Sequence, residues 1–380
     1  MSHVIRHWNP PDDQFCKDFA RRCALGCASG CAFSGPPRTR GPACARTCPG
    51  ARIWLGRFGS RKGAYVSISG FIKAVGSKKM RLFGITAPPA AEGREGIALV
   101  AIVKNVGDYI LEWLEFHTVA GARHVFLYDN GCTDDTLAKI AASPFAASVA
   151  VTPWRMAGYD PATERRISQQ VAAYAHAVTT FGADFERMAF IDIDEFLVPD
   201  PGLSLMEAIT QHGDHSNISL PWHMFGHAGH DTRPEGWVTR AFTDRAPVPY
   251  ARDSDLLRFK CIVDPSRISA VGVHSFETVD MGERTANAAG QVVSNRARKQ
   301  ESFFTSSPLQ LNHYYLLSKA ELETKLARGP INFGGAEGYR KRVLEKVTEI
   351  ERAPVEDRKA VAYFDALSAQ GGGGAGNNLG

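Results

Sequence analysis

Two aspartates inside a strongly apolar segment are the residues best suited to chemistry. Asp192 and Asp194 interrupt the apolar run between Met188 and Val198. Side chains alternate faces along a strand, so one continuous strand would point both carboxylates the same way. Two like charges side by side favour a divalent cation held by carboxylates and by substrate phosphates. The alternative interpretation is a solvated strand end, where both acids face water.

Further polar residues follow two earlier apolar runs, Gly96–Val103 and His124–Tyr128. Because ligands bind at the carboxyl ends of the strands in open α/β sheets, we expect these residues to meet a ligand. The alternative for the second group is a turn followed by a capped helix. The residues are Lys104, Asn105, Asp129, Asn130 and Asp134.

The elements that would position these residues alternate between strands and helices. Continuous aliphatic runs indicate strands buried on both faces, and apolar residues at helical spacing indicate amphipathic helices. This order predicts an α/β fold with a mostly parallel sheet flanked by helices. Predicted strands are 96–103, 124–128, 149–154 and 188–198, and predicted helices are 109–120 and 164–181.

The chain after Pro199 has a different amino-acid composition. Ser219–Gly236 is rich in aromatic residues, histidine and glycine, which favours a binding loop. Residues 281–300 are predicted to form an exposed insertion. Later strands are expected at 259–263 and 309–315, and later helices at 318–328 and 337–352.

Charge and composition divide the 380 residues further. Residues 1–90 hold fifteen Lys or Arg and three acids, whereas the whole chain has a net charge of only +4. We expect a disordered Cys/Arg/Pro-rich leader at 1–50, whose six cysteines offer a zinc module as the alternative. A small basic accessory segment at 51–90 is expected to contain strands. We place the main domain at 96–330, C-terminal helices at 331–368 and a disordered tail at 369–380.

Five sequence blocks, taken in order, resemble the family 92 and related family 2 glycosyltransferases. This resemblance implies a GT-A fold, a nucleotide-sugar donor, with a UDP-sugar favoured, and Mn²⁺ or Mg²⁺ as the cofactor. The blocks are Ala101–Asn105 with Glu112–His117, Tyr128–Asp134, Ala189–Phe196, Arg233–Gly236 and Asn312–Tyr314.

The same resemblance implies roles for individual residues. Asp192 and Asp194 would bind the metal, with His313 as a third ligand; the alternative is that His313 is an ordinary hydrogen-bonded strand-end histidine. Glu235 would be the catalytic base, with Asp231 as its rival. Lys104, Asn105, Asp129, Asn130 and Asp134 would line the nucleotide pocket. Val106 departs from the family pattern, because relatives generally carry glutamate there.

The expected activity is therefore transfer of a hexose, with inversion, to a glycan, lipid-linked or protein-bound acceptor. The alternative is a noncatalytic nucleotide- or carbohydrate-binding relative with a decayed donor site. No run of about 18 apolar residues occurs, so we expect a bacterial, cytoplasmic protein. Its basic N-terminal region is expected to be a solvated basic face, with peripheral contact with the inner membrane as the alternative, and no nucleic-acid partner is expected.

Overall fold

The computed structural model describes residues 82–156, 158–160, 165–329 and 336–371. The predictions for the leader, for most of the 51–90 segment and for the end of the tail lie outside these residues. The described helices are α1 (Ile110–Val119), α2 (Thr136–Ala142), α3 (Gln169–Phe181), α4 (Leu205–Thr210), α5 (Val238–Ala241), α6 (Lys319–Arg328), α7 (Ala336–Glu351) and α8 (Lys359–Gly371). None of them is long and apolar enough to cross a membrane.

The strands of the described chain form one large mixed sheet and several small ones. They are β1 (Phe83–Gly84), β2 (Ile97–Val103), β3 (Ala122–Asp129), β4 (Val149–Pro153), β5 (Gly158–Asp160), β6 (Arg165–Ile167), β7 (Arg187–Phe190), β8 (Glu195–Pro199), β9 (Asn217–Met224), β10 (Asp244–Arg245), β11 (Phe259–Val263), β12 (Ile268–Val271), β13 (Phe276–Thr278), β14 (Arg284–Ala286), β15 (Val292–Ser294), β16 (Leu309–His313) and β17 (Val355–Glu356). The large sheet has the order β15-β14-β9-β11-β7-β2-β3-β4.

One half of the large sheet is parallel, as the aliphatic runs predict. β7, β2, β3 and β4 pair in parallel, and β2 is buried along nearly its whole length. The carboxyl ends of these strands therefore share one edge, where the polar residues after β2, β3 and β7 gather. The predicted α/β class with helices flanking the sheet is confirmed.

The other half of the sheet is mixed, and it supplies a second approach to the same edge. β11 is antiparallel to both β7 and β9. β16 pairs in parallel with β9 and antiparallel with β8, in a register that sets His313 opposite Glu195. A residue distant in sequence thus comes to lie beside the acids.

Four predictions of local structure are wrong. The helix predicted over 164–181 begins only at Gln169, because residues 165–167 form strand β6, which pairs with β5. The segment 188–198 is two strands, because β7 pairs with β2 and β11 whereas β8 pairs with β16; the chain turns between them at residues 191–194. The first part of Ser219–Gly236 is the fully buried strand β9 rather than a loop. Residues 281–300 contain β14 and β15 rather than a purely exposed insertion, because β14 joins the sheet edge beside β9.

Helix α1 packs beneath the turn that carries the aspartates. Trp113 donates from its indole nitrogen to the Glu195 carbonyl at 2.8 Å. The buried His117 ring donates from Nδ1 to the Trp113 carbonyl oxygen (2.8 Å) and accepts the Leu197 N–H at Nε2 (3.1 Å). Both contacts suit a neutral ring, and burial lowers the pKa of His117 to about 3.

Acid should destabilise the fold through His117. Between pH 6.5 and about 3 the unfolded chain binds a proton at His117 that the folded chain does not. The contribution of the neutral His117 to the free energy of unfolding is therefore complete above pH 6.5 and is lost as the pH falls. The expected slope is up to about 1.4 kcal/mol per pH unit for one proton. Denaturant unfolding of His117→Gln between pH 7 and 4 should show a shallower loss of stability than wild type.

The exposed His212 provides the matched control. His212→Gln should keep the wild-type pH slope. Equal slopes for wild type and His117→Gln would contradict the assignment of acid sensitivity to His117.

Candidate active site at the carboxyl edge of the sheet

The loops after β2 and β3 are joined by hydrogen bonds between residues predicted to bind the nucleotide. Asn105 Oδ1 accepts the Thr133 N–H at 2.8 Å. Asp134 Oδ2 accepts the Gly107 N–H at 3.0 Å. A Cβ at Gly107 would lie 2.1 Å from the Asp135 carboxylate, an exposed side chain that can move aside, and 3.2 Å from the Thr136 backbone nitrogen, so the backbone leaves little space there.

The other predicted pocket residues lie at the same edge. Asp129 Oδ1 accepts the backbone N–H groups of Gly131 and Cys132, and Asn130 donates its N–H to the Val103 carbonyl. Lys104 is exposed. The structure therefore gathers these residues at one edge, and their contact with a nucleotide stays a prediction.

The carboxylate of Asp192 is held from two sides. Gln170 Nε2, on α3, donates to Oδ1 at 2.8 Å, and Lys260 Nζ, on β11, donates to Oδ2 at 2.8 Å. Gln170 also donates to the Tyr174 hydroxyl at 2.8 Å. The Asp192 side chain nevertheless keeps 35% of its surface exposed, so it remains accessible from the edge.

Lys260 is a buried cation among acids. Its side chain is 1% exposed, and Nζ lies 3.5 Å from Oε2 of Glu195, which is fully buried. Burial alone would lower the pKa of Lys260, but Asp192 and Glu195 outweigh it and raise that pKa well above its usual value. Burial raises the pKa of Glu195, and Lys260 opposes that rise. Lys260 is thus the counter-charge of the aspartate turn.

Asp194 points to a different partner from Asp192. Its Oδ2 lies 3.3 Å from Nε2 of His313, whose side chain is 5% exposed and packs against the Trp222 ring at 4.4 Å between centroids. Burial lowers the pKa of His313, against the opposing effect of Asp194, so the ring is neutral at neutral pH. Burial would raise the pKa of Asp194, but His313, Lys325 and Lys260 hold it well below its usual range.

The pair formed by Asp194 and His313 fits a divalent ion. Two ligand atoms about 2.1 Å from one ion and about 100° apart are about 3.2 Å from each other, close to the observed 3.3 Å. No cluster of three or more His, Cys, Asp or Glu arranged for a metal occurs among the described residues. The two side chains would be two adjacent ligands, and water and phosphate oxygens would fill the remaining positions around Mg²⁺ or Mn²⁺.

The two predicted bases lie on one exposed loop. Asp231 Oδ1 contacts Lys319 Nζ at 2.7 Å, and Lys319 lowers the pKa of Asp231. Glu235 is exposed on the same loop, which Arg233 ties to Asp108 at 2.8 Å. Within the described part of the chain, no hydrogen bond or ion pair joins Glu235 or Asp231 to the Asp192–Asp194 turn.

Comparison with known proteins identifies the family. The model of glycosyltransferase family 92 matches residues 101–325, more than half of the chain. The chain belongs to glycosyltransferase family 92. The match includes every predicted pocket, metal and base residue named above.

Curated relatives of this family 92 chain come from plants. A family 92 protein of Ricinus communis is 28% identical over 215 residues, covering 54% of this chain and 35% of the relative. One from Oryza sativa subsp. japonica is 24% identical over 210 residues, covering 54% and 33%. The chain therefore spans about a third of the length of these relatives, and the expected bacterial origin stays a prediction.

Among solved structures, the S. aureus TarS fragment 1–349 in complex with UDP-GlcNAc is similar over 45% of each chain, with 16% identity and a TM-score of 0.27. A likeness of this size supports no conclusion about the ligands of this family 92 chain.

The metal prediction overlooked two residues of this family 92 site. Glu195 lies inside the Ala189–Phe196 block without a predicted role of its own, although it is fully buried and faces both Lys260 and His313. Lys260 is not among the residues predicted above. Its signal was a single lysine inside the apolar strand β11, since a buried lysine requires a paired acid.

Replacing Lys260 should destabilise the family 92 domain. Lys260→Met leaves Asp192 and the buried Glu195 without their counter-charge, and breaking a buried pair in this way costs about 3–5 kcal/mol, here less because Asp192 is partly exposed. Urea unfolding of the purified protein measures this loss.

The exposed Lys319, paired with Asp231, serves as the control for losing a lysine. Lys319→Met should leave the urea midpoint nearly unchanged. Equal midpoints for Lys260→Met and wild type would show that Lys260 is not a required counter-charge.

Proposed function

We propose that this family 92 chain is a metal-dependent hexosyltransferase. It would move a hexose from a UDP-sugar to a glycan, lipid-linked or protein-bound acceptor, with inversion. The observation that carries the proposal is the pairing of Asp194 with His313 at the carboxyl edge of the parallel strands, beside the anchored Asp192. On this proposal both residues would bind the same ion.

The residues of the site divide the work between them. When bound, the ion would neutralise the diphosphate and so make it a better leaving group. Asp194 and His313 would hold the ion directly. Asp192, whose two oxygens already accept hydrogen bonds from Gln170 and Lys260, would bind it directly or through water. The Asn105 and Asp134 loops would hold the nucleotide.

Glu235 is the preferred base for the acceptor hydroxyl. Inversion requires a base on the face opposite the leaving group, and a base with a lowered pKa takes up a proton less readily. Lys319 engages Asp231 and lowers its pKa, whereas the exposed Glu235 lies on a loop fixed to the start of α1 through Arg233 and Asp108. The loop thereby connects the expected acceptor side with the expected donor side.

Binding of UDP should depend on a divalent ion. Calorimetric titration with UDP is expected to show at least about tenfold tighter binding with Mn²⁺ than with chelator, because the ion bridges the protein ligands and the phosphates. Asp192→Asn combined with Asp194→Asn should remove this gain. The exposed Asp253 gives the control, and Asp253→Asn should bind as wild type does. Metal-independent binding by wild type would refute the metal site.

Substitution of the base should separate chemistry from binding. Glu235→Gln should lower transfer from UDP-sugar at least about a hundredfold, a typical contribution of a general base, while UDP affinity stays unchanged. Asp231→Asn should retain most of the transfer activity. A reversed pattern in assays of sugar transfer would assign the role to Asp231.

One observation favours the alternative of a noncatalytic binding protein. Val106 packs against the hydrophobic core and offers no side-chain acceptor for a ribose or base. Asp108 is the acid nearest in sequence to Val106, and it forms an ion pair with Arg233 at 2.8 Å. Slow hydrolysis of UDP-sugars by wild type, lost in Glu235→Gln or in the double aspartate variant, would support the transferase. UDP-sugar binding with no turnover would support the alternative.

A further inference from the structure

Two buried polar atoms face each other behind the proposed metal site. Glu195 Oε1 and His313 Nδ1 lie 3.9 Å apart, and neither has a hydrogen-bond partner among the described residues. The antiparallel register of β16 and β8 sets these two residues directly opposite each other. Buried polar groups are almost always hydrogen-bonded, so this pair is unusual.

The proton of the His313 ring links this pair to the ion. Nε2 faces Asp194 at 3.3 Å, so this nitrogen would offer its lone pair to a divalent ion. A neutral imidazole that binds a metal through Nε2 carries its proton at Nδ1. The atom in front of Nδ1 is Glu195 Oε1, and a movement of about 1 Å would bring the two atoms to hydrogen-bond distance.

The other oxygen of Glu195 is fixed in place. Oε2 accepts the backbone N–H of Asp192 at 2.8 Å and lies 3.5 Å from Lys260 Nζ. Both neighbours are donors, so Oε2 cannot exchange places with a donor group. The carboxyl group is therefore held with Oε1 towards His313.

We propose that Glu195 is a positioning residue for the metal ligand His313. It accepts the Nδ1 proton and so keeps the Nε2 lone pair directed at the ion. This inference rests on the proposed metal-dependent function and extends it to a residue that touches neither the ion nor the substrate.

The isosteric variant Glu195→Gln reverses the polarity at this point without changing shape. Asp192 N–H and Lys260 require the amide oxygen at the Oε2 position, which turns the amide NH₂ towards His313 Nδ1. An NH₂ group pairs with a lone pair at Nδ1, and the ring proton then moves to Nε2, where the ion would bind. The proton on Nε2 should then prevent His313 from binding the ion.

Calorimetric titration of the full chain with Mn²⁺ in the presence of UDP tests this proposal. Glu195→Gln should weaken Mn²⁺ binding about 10- to 100-fold, the usual effect of losing the hydrogen-bond partner of a metal-bound histidine. Glu112→Gln is the matched control: Glu112 is a largely buried carboxylate that accepts the N–H groups of Val238 and Thr239, and its variant should bind Mn²⁺ as wild type does. Wild-type affinity in Glu195→Gln would overturn the proposal.

A second measurement does not depend on activity, and its Glu195→Gln arm needs no metal. Ring ¹⁵N shifts of His313, assigned with His313→Gln, should show the proton on Nε2 in metal-free Glu195→Gln and on Nδ1 in wild type loaded with Mg²⁺ and UDP. A proton on Nδ1 in Glu195→Gln would overturn the proposal. If wild type binds no ion at all, the metal-dependent function fails, while the tautomer of Glu195→Gln still reports whether Glu195 faces Nδ1.

Glu195→Asp covers the case in which Glu195→Gln does not fold. It keeps a negative charge beside Lys260 but is one methylene too short to reach His313. Weakened Mn²⁺ binding in this variant would support the proposal, and unchanged binding would overturn it.

Discussion

The site depends on one buried ion-pair cluster, in which Lys260 faces Asp192 and Glu195. Three acids within four residues, of which Glu195 is fully buried, require a compensating charge at the turn they share. Lys260 supplies that charge from β11, at 2.8 Å from Asp192 and 3.5 Å from Glu195. Because β11 lies next to β7 in the sheet, the strand that delivers the aspartates and the strand that neutralises them are placed together by backbone pairing.

The same cluster divides the acids into separate roles. Asp192 is anchored to the sheet and to α3, whereas Asp194 faces His313 and the edge of the sheet. Glu195 lies behind both and connects Lys260 with the far side of the His313 ring. An aspartate pair that resembles two equivalent ligands in the sequence is therefore asymmetric in the fold. The asymmetry leaves Asp194 and His313 as the pair proposed to bind a divalent ion directly.

The loops that complete the edge are stabilised by residues expected to bind the nucleotide. The Asn105 side chain accepts the backbone N–H of Thr133, and the Asp134 side chain accepts the backbone N–H of Gly107. The partly buried Val106 packs against the core. Asp108 forms an ion pair with Arg233, which lies on the loop that carries Glu235. The expected donor side and acceptor side of the site are thus linked by the ion pair between Asp108 and Arg233.

Elements with a local periodicity can be predicted from consecutive residues. The aliphatic run of β2, the helical spacing of α1 and the apolar strand β11 agree closely with their predicted bounds, because burial on two faces or on one helical stripe leaves a pattern in consecutive residues. The order of strands and helices was enough to predict the α/β sheet and the edge where polar residues gather. The family blocks pointed to Asp192, Asp194 and His313 without giving their geometry.

The way in which those residues meet depends on pairing between strands that are distant in sequence. The turn at 191–194 exists because β7 and β8 have different partners, and no local pattern records a change of partner. The register of β16 brings His313 to Asp194, from which it is separated by 119 residues of sequence. The register of β11 brings Lys260 to Asp192, from which it is separated by 68 residues. Strand pairing between distant segments depends on the packing of the whole sheet, so the counter-charge of Lys260 and the facing of Glu195 with His313 became visible only in the folded chain.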